Sequence, residues 1–495
     1  MKNFYTNVTA RGNDILFRGI VDGKRKDLKI KSYKPTLYIS TNEKTDWRTI
    51  DGKSVAPIQP GFIKDCREFV DRYKDVSNFD VYGMTDYAAQ WISDNYENEI
   101  EYDERLVRIF NLDIEVESRN GFPDPEVADQ ILTAVTIKDS LTNKYYVWAC
   151  KEYTGNNKDI VYTQCKSEED LINSVLLFWY NNAPDVVTGW NCRFFDIAYF
   201  VNRMKVIGLA NKIKLLSPWG VVSEKNITIQ GTTKQTYEFL GVTIMDALEL
   251  YKKYTYTKQE SYKLAYIARV EELGVEKLTY TGTLDELYEN DFNHFIDYNI
   301  GDVIVVDKLL EKHKFINIVL GIAYKSKVNW QTVYSPVTTW DIFIYNYFKK
   351  KNIAIPPEKN NSKAEQYEGA FVKEPLPGKY KWVVSLDLDS LYPNAARQWN
   401  ISPDTLIDEY DIPADVLNAS MDDLIHGKTD LSFAKQDNVS FTANKVVFRK
   451  DFMGVLPDLF GQLYNERKLA KQKMIEQKKI LQTLEEEAKK RGIKI

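Results

Sequence analysis

Residues 109–117 read Ile109-Phe-Asn-Leu-Asp-Ile-Glu-Val-Glu117. Leu112, Ile114 and Val116 alternate with Asp113, Glu115 and Glu117. A period of two marks a strand, whose successive side chains point to opposite faces. One face is then apolar and can enter a core, while the other carries three carboxylates. Acids crowded on one face repel each other unless positive charge sits among them. A divalent cation such as magnesium or manganese is one answer, because it takes hard oxygen ligands. An edge strand with a solvated acidic face is the other. These nine residues leave both readings open.

The flanking chain extends the pattern. Ile131-Leu-Thr-Ala-Val-Thr-Ile-Lys138 and Lys144-Tyr-Tyr-Val-Trp-Ala-Cys150 predict neighbouring strands joined by a polar turn. Ser167-Glu-Glu-Asp170 opens a helix with a serine cap and an acidic first turn. Pro184-Asp-Val-Val-Thr-Gly-Trp-Asn191 returns to a strand, and a new helix begins around Asp196. Strands alternating with helices predict an α/β layered domain. Asp196 falls in a first turn, where the helix dipole alone also favours an acid. Residues 219–242 predict a β-hairpin with its tip at Gly231. A helix from Ile296 to Leu310 puts Tyr298 and Asp302 on one face, as a plain surface pair would also do.

The first 107 residues mix short strands, such as Asp14-Ile-Leu-Phe-Arg-Gly-Ile-Val21 and Thr36-Leu-Tyr-Ile-Ser40, with glycine-marked turns. They read as a binding or packing domain. Ile355-Pro-Pro-Glu-Lys-Asn-Asn-Ser-Lys363 is the expected linker. Beyond it, Lys381-Trp-Val-Val-Ser-Leu-Asp-Leu-Asp-Ser-Leu-Tyr-Pro393 predicts a buried strand ending in acids, with Asp387 and Asp389 on one face. The chain closes in a long helix from about Pro457. From Asn465 to Ile495 it carries ten Lys or Arg against five Glu, and Leu463, Ala470, Met474, Leu481, Leu484 and Ala488 form a seam.

Composition narrows the class. At 495 residues the chain is long enough for three or four domains. Three histidines argue against a His-based metal site or a Ser-His-Asp hydrolase. Four widely spaced cysteines read as reduced intracellular thiols, not as a disulfide framework or zinc site. Without a run of about 18 apolar residues, no membrane span is expected. Met1-Lys-Asn-Phe-Tyr-Thr-Asn7 does not read as a signal peptide. A net charge of −5 neither advertises nor excludes nucleic-acid binding, which depends on local patches. Aromatics among lysines, in a chain with 32 tyrosines, can stack unpaired bases, although most aromatics serve the core.

Taken in order, Asp113-x-Glu115, Gly189-Trp-Asn-x-x-x-Phe-Asp196 and Tyr298-x-x-x-Asp302 resemble the three exonuclease motifs of proofreading DNA polymerases. Asp387-Leu-Asp-Ser-Leu-Tyr-Pro393 resembles the first polymerase motif of family B, and Tyr367-Glu-Gly-Ala-Phe-Val372 the motif linking the two modules. The run from Gly241 to Pro403 is similar to the replicative polymerases of T-even phages. The resemblance implies a multidomain α/β and α+β chain. Its parts are an N-terminal mixed domain (1–107, with 315–357 returning to it), an RNase H-like 3′-to-5′ exonuclease domain (108–314), a partial palm (358–453) and the first part of the fingers (454–495). It implies Mg2+ or Mn2+, two per active site, held by Asp113, Glu115, Asp196 and Asp302, with Tyr298 orienting the attacking water. It also implies a palm metal ligand in Asp387, and contacts to the incoming dNTP from Ser390, Leu391, Tyr392 (the steric gate) and Arg467. The hairpin at 219–242 would help to separate primer from template.

The sequence departs from the family in two ways. It contains neither an Asp-Thr-Asp triplet nor the Lys-x-x-x-Asn-Ser-x-Tyr-Gly motif of the fingers. Asp389 stands where the T-even relatives carry a neutral residue. The expectation is therefore the N-terminal portion of a replicative polymerase, with a second polypeptide supplying the remaining fingers, palm and thumb. Its partners would be primer-template and single-stranded DNA, with dNTP in the completed enzyme and no membrane. Its place would be the cytoplasm, that of the host cell if the chain is phage-encoded. The alternatives are a stand-alone 3′-to-5′ exonuclease and a non-catalytic scaffold for primer-template or RNA.

Overall fold

A computed structural model describes residues 2–492, apart from 120, 230, 276–277, 358–372, 409 and 443. The Tyr367 to Val372 motif and most of the expected linker lie outside the described residues. The chain divides into two compact units: Met1–Arg48 with Ser54–Pro357, and Thr49–Lys53 with Glu358–Ile495.

In the first unit, β1 (Phe4–Arg11), β2 (Asp14–Val21) and β3 (Lys24–Ile30) form an antiparallel meander. β4 (Leu37–Ser40), β5 (Val55–Ile58) and β6 (Val81–Tyr82) form a smaller sheet beside it in the chain. The helix Phe315–Ser326 and the turn after it come back to the meander. Tyr324 Oη donates to the Tyr5 carbonyl and Tyr5 Oη to the Val328 carbonyl, both at 2.7 Å. The Asn329 amide brackets Val8, accepting from its N–H (2.8 Å) and donating to its carbonyl (2.6 Å). Buried polar groups that are satisfied in this way add directionality to an otherwise apolar core.

The acidic stretch forms β7 (Ile109–Val116). It is followed by β8 (Leu132–Asp139), β9 (Lys144–Ala149), β10 (Ile160–Gln164) and β11 (Val186–Thr188). Then come the hairpin β12 (Val222–Ile229) and β13 (Thr232–Phe239), and β14 (Thr243–Ile244). One sheet runs in the order β10-β9-β8-β7-β11-β14. β7 is antiparallel to β8 and parallel to β11. It is therefore an inner strand, which disposes of the edge-strand reading. Its apolar face, Phe110, Leu112, Ile114 and Val116, joins a core with the helices Glu168–Asn181 and Asp196–Val206. Across the sheet, Ala134, Val147 and Ala149 pack against Phe295, Ile296 and Ile300 of the helix Phe292–His313. The acids of β7 thus point under a helix and not into open water. The hairpin, the Ser167 cap and the helices at Asp196 and Tyr298 all form where the sequence predicts them.

A buried arginine ties the meander to this sheet. Arg18 is 0% exposed and donates to the carbonyls of Ala183 (3.2 Å), Pro184 (2.8 Å) and Gly241 (2.6 Å), and to Asp27 (3.0 Å). Asp185, also buried, accepts from the Arg108 amide at 2.8 Å and from Arg25. Burying a guanidinium is tolerable only because its N–H groups are used in this way.

The second unit contains the helix Leu391–Trp399, a three-stranded sheet of Leu406–Ile407, Val439–Phe441 and Val447–Arg449, and the 36-residue helix Val455–Lys490. The expectation of a buried strand over 381–389 fails. The segment forms no strand, and its apolar side chains lie in solvent, with Trp382 96% and Leu386 91% exposed. Among the described residues it has no strand beside it, and an extended backbone without a neighbour leaves its ladder unmade.

Candidate active site

The central cluster is carboxylate only. Asp113, Glu115 and Asp302 each offer an oxygen, and the three oxygens lie within 4.8 Å of one another. β7 supplies the first two by its period of two, and the helix Phe292–His313 lowers Asp302 onto them from above. A register shift at the end of β7 places Val116 opposite Leu132, one step past the Glu115–Ala134 pair. The skipped residue, Thr133, donates to the Glu115 carbonyl at 2.9 Å. Such a bulge re-aims side chains at the rim of a sheet. Opposite Glu115, Ala134 is small enough to let the helix approach.

Asp196 stands at the first residue of its helix, buried, with Oδ1 accepting from the Ile114 amide at 3.0 Å. That amide lies between Asp113 and Glu115, so the fourth carboxylate is fastened to the acidic strand itself. Burial pushes the Asp196 pKa up to about 7, and the negative charges of Asp246 and Asp302 push the same way against two backbone hydrogen bonds. A crowded, partly desolvated set of hard oxygen donors matches magnesium or manganese chemistry. It offers no nitrogen or sulfur that would favour zinc. Tyr298 lies one turn before Asp302, with its ring edge-on to Tyr280 (centroids 5.1 Å apart).

Glu117 falls outside β7 and pairs with Arg119 at 2.6 Å, away from the trio. The chain around Asp196 is held by a residue that sequence reading did not single out. Buried Asp246 caps the helix Ala247–Tyr254 and also accepts from the Asn191 (3.2 Å) and Arg193 (2.9 Å) amides. Its signal in the sequence is only that of an ordinary helix cap. Gly189 is required here, because a Cβ would sit 2.4 Å from the Leu112 carbonyl. Asn299 and Thr136, beside Asp113, also escaped notice.

In the second unit, Asp387 and Tyr392 are exposed, and no second acid cluster forms among the described residues. Asp389 faces the long helix instead. It accepts from Tyr464 Oη at 2.9 Å and lies 3.6 Å from Arg467, which also donates to Ser390 Oγ at 3.2 Å. The Tyr464 hydrogen bond, more than Arg467, lowers the Asp389 pKa. Leu391 is half exposed at the start of its helix.

Comparison with known proteins gives the family. Residues 64–267 match the exonuclease domain of DNA polymerase family B, and residues 337–495 match DNA polymerase family B. The chain is 34% identical over 94% of its length to the DNA-directed DNA polymerase of Escherichia phage RB69, and 32% identical over 96% to that of Enterobacteria phage T4. It is 26% identical over 74% of its length to the DNA polymerase delta catalytic subunit of Schizosaccharomyces pombe. The chain spans 54% of each of the two phage proteins. The mixed α/β fold, the order of the acidic motifs and both matches agree, and the chain belongs to DNA polymerase family B, with that family's exonuclease domain.

Proposed function

We propose that the first unit is a metal-dependent 3′-to-5′ DNA exonuclease and that the whole chain is the N-terminal portion of a replicative DNA polymerase. The observation that carries the nuclease is the convergence of Asp113, Glu115 and Asp302, with Asp196 hydrogen-bonded to the strand between them. Hydrolysis of a terminal phosphodiester is an in-line displacement by water. Two divalent cations, Mg2+ or Mn2+, would when bound supply the activation of that water and the stabilisation of the leaving oxygen. Asp113, Glu115, Asp196 and Asp302 would hold the cations. Tyr298, on the Asp302 face of its helix, orients the water for attack. The substrate is single-stranded DNA or an unpaired primer end, and the hairpin β12–β13 helps to keep that end apart from its template.

The domain limits proposed above follow the same reading, and the work is done in the host cytoplasm. DNA synthesis requires a second polypeptide that completes the palm, fingers and thumb and brings an Asp-Thr-Asp motif to Asp387. In that complex Ser390, Leu391, Tyr392 and Arg467 meet the dNTP. Two exposed apolar surfaces of the second unit support the idea. They are the row from Trp382 to Tyr392, and the helix face bearing Met474, Leu481 and Leu484. A stand-alone exonuclease is the second reading, favoured by the fact that all four carboxylates belong to the first unit.

The experiment is digestion of 5′-labelled single-stranded DNA with Mg2+, beside an Asp113→Ala, Glu115→Ala variant. Stepwise shortening from the 3′ end that the variant lacks is expected, and equal digestion by both proteins would rule out the assigned site. Primer extension after addition of a candidate second chain separates the two readings. If no complex forms and no extension appears, the two-chain polymerase is abandoned.

A further inference from the structure

We propose that Asn299, itself set by Thr136, is the positioning residue that holds Asp113 in its metal-binding orientation. The inference rests on the nuclease reading above and adds two residues to it. Asn299 lies between Tyr298 and Asp302 on the helix Phe292–His313, and is 0% exposed. Its Nδ2 donates to Asp113 Oδ2 at 2.6 Å, the short distance of a charge-assisted bond. Its Oδ1 accepts from Thr136 Oγ1. Thr136, also 0% exposed, lies on β8 directly opposite Asp113 on β7. Two adjacent strands and the helix across them therefore meet in one chain of hydrogen bonds, Thr136 to Asn299 to Asp113.

The chemistry of the three groups fixes the direction of that chain. A carboxylate only accepts, so it selects the NH2 end of the amide. Turning the amide over would set Oδ1 against Asp113, acceptor against acceptor. Thr136 then gives its proton to the oxygen that remains. An asparagine inside a helix is intrinsically poor, by about 0.6 kcal/mol against alanine, and buried polar groups are tolerated only when paired. Ile296 and Ile300, on the same helix, show that apolar packing suits this side of the sheet. An amide at 299 makes sense where a neighbouring carboxylate must be held in one rotamer. Partners of this kind orient ligating carboxylates, and their loss weakens metal affinity or activity by about 10–100-fold.

The test uses the full chain and Mn2+ as probe. Binding is read from the loss of the free-ion electron paramagnetic resonance signal, and nuclease rate is measured separately against Mn2+ concentration. Asn299→Leu removes donor and acceptor at similar volume, Thr136→Val removes only the hydroxyl, and Thr136→Ser keeps it. The Mn2+ Kd should rise about tenfold or more in Asn299→Leu, rise less in Thr136→Val, and stay at the wild-type value in Thr136→Ser. The nuclease rate of Asn299→Leu should recover at saturating Mn2+, while its half-saturating Mn2+ concentration stays raised. A purely structural asparagine would lower the melting temperature without moving that concentration, which overturns the proposal. So does wild-type Mn2+ binding in both Asn299→Leu and Thr136→Val while Asp113→Ala loses it, which leaves the site itself standing. If Asp113→Ala binds Mn2+ like wild type, the nuclease site is wrong and the positioning role falls with it. Should Asn299→Leu fail to fold, the contrast between Thr136→Val and Thr136→Ser decides alone.

Discussion

Two stretches of this chain are written alike and behave differently. Leu112-Asp-Ile-Glu115 and Leu386-Asp-Leu-Asp389 each alternate apolar and acidic residues. The first is an inner strand with β8 on one side and β11 on the other. Its apolar side chains are buried, and its acids meet Asp302 under a helix. The second pairs with no strand among the described residues and leaves Leu386 and Leu388 exposed. Alternation states which side chains share a face. It does not state whether the chain supplies neighbours to cover either face. A catalytic strand needs both, because only a fixed backbone can gather carboxylates against their mutual repulsion.

The contrast breaks most visibly in activity. Asp113→Ala with Glu115→Ala should lower nuclease rate by about 10³-fold or more, the scale expected when a metal site is dismantled. Asp387→Ala should leave that rate unchanged and remove synthesis by any completed polymerase. Time courses on labelled single-stranded DNA measure the first effect and primer extension the second. A nuclease that needs Asp387 would mean that the two stretches serve one site.

Next in size is Arg18→Met. It strips four carbonyl and carboxylate acceptors — Ala183, Pro184, Gly241 and Asp27 — of a buried donor, and leaves buried Asp185 without the guanidinium 4.0 Å away. Breaking a buried ionic network by removing one partner costs about 3–5 kcal/mol. The melting transition of the first unit should fall, followed by loss of the near-ultraviolet circular dichroism of its aromatic core. An unchanged transition would mean that the meander is not held to the sheet by this residue.

How far the sequence predicted these features depends on how local each one is. Strand period, helix start and i,i+4 spacing are local signals, and they put Asp113, Glu115, Asp196, Tyr298 and Asp302 on their elements; only the family resemblance joined the five into one expected site. Asn299 and Thr136 escaped because their meeting depends on the β7–β8 register and on the rotation of a helix more than 150 residues later in the chain. Arg18 escaped for the same reason: the carbonyls it binds come from residues 183, 184 and 241. Segment 381–389 was misread as a buried strand because its pattern records faces and not neighbours. Asp389, which alternation puts on the Asp387 face, is turned to Tyr464 and Arg467 by the long helix.

A smaller effect concerns pH. Burial lifts the Asp196 pKa to about 7, so the folded first unit keeps a proton that the unfolded chain releases near pH 4. The stability this contributes is complete below about pH 4 and is lost as pH rises through about 7. At the metal site proposed above, a divalent cation would take over the role of that proton. Mn2+ should therefore raise the melting temperature of the first unit more at about pH 8 than at about pH 5. A rise that is the same at both values would detach Asp196 from the metal site.

The smallest change is expected where the second stretch is mutated. Leu386 is 91% exposed, so Leu386→Ser removes almost no buried surface, and the stability of the chain should move by no more than about 0.5 kcal/mol. An equivalent change at Leu112, 5% exposed in the core of β7, should cost about 2–5 kcal/mol. Paired melting curves of the two variants thus measure what neighbours contribute to the same sequence pattern. If the exposed row is the surface that a second polypeptide covers, Leu386→Ser should also weaken that complex while leaving the isolated chain unaffected. A large loss of stability in the isolated chain would show that the segment is already buried, and the contrast between the two stretches would disappear.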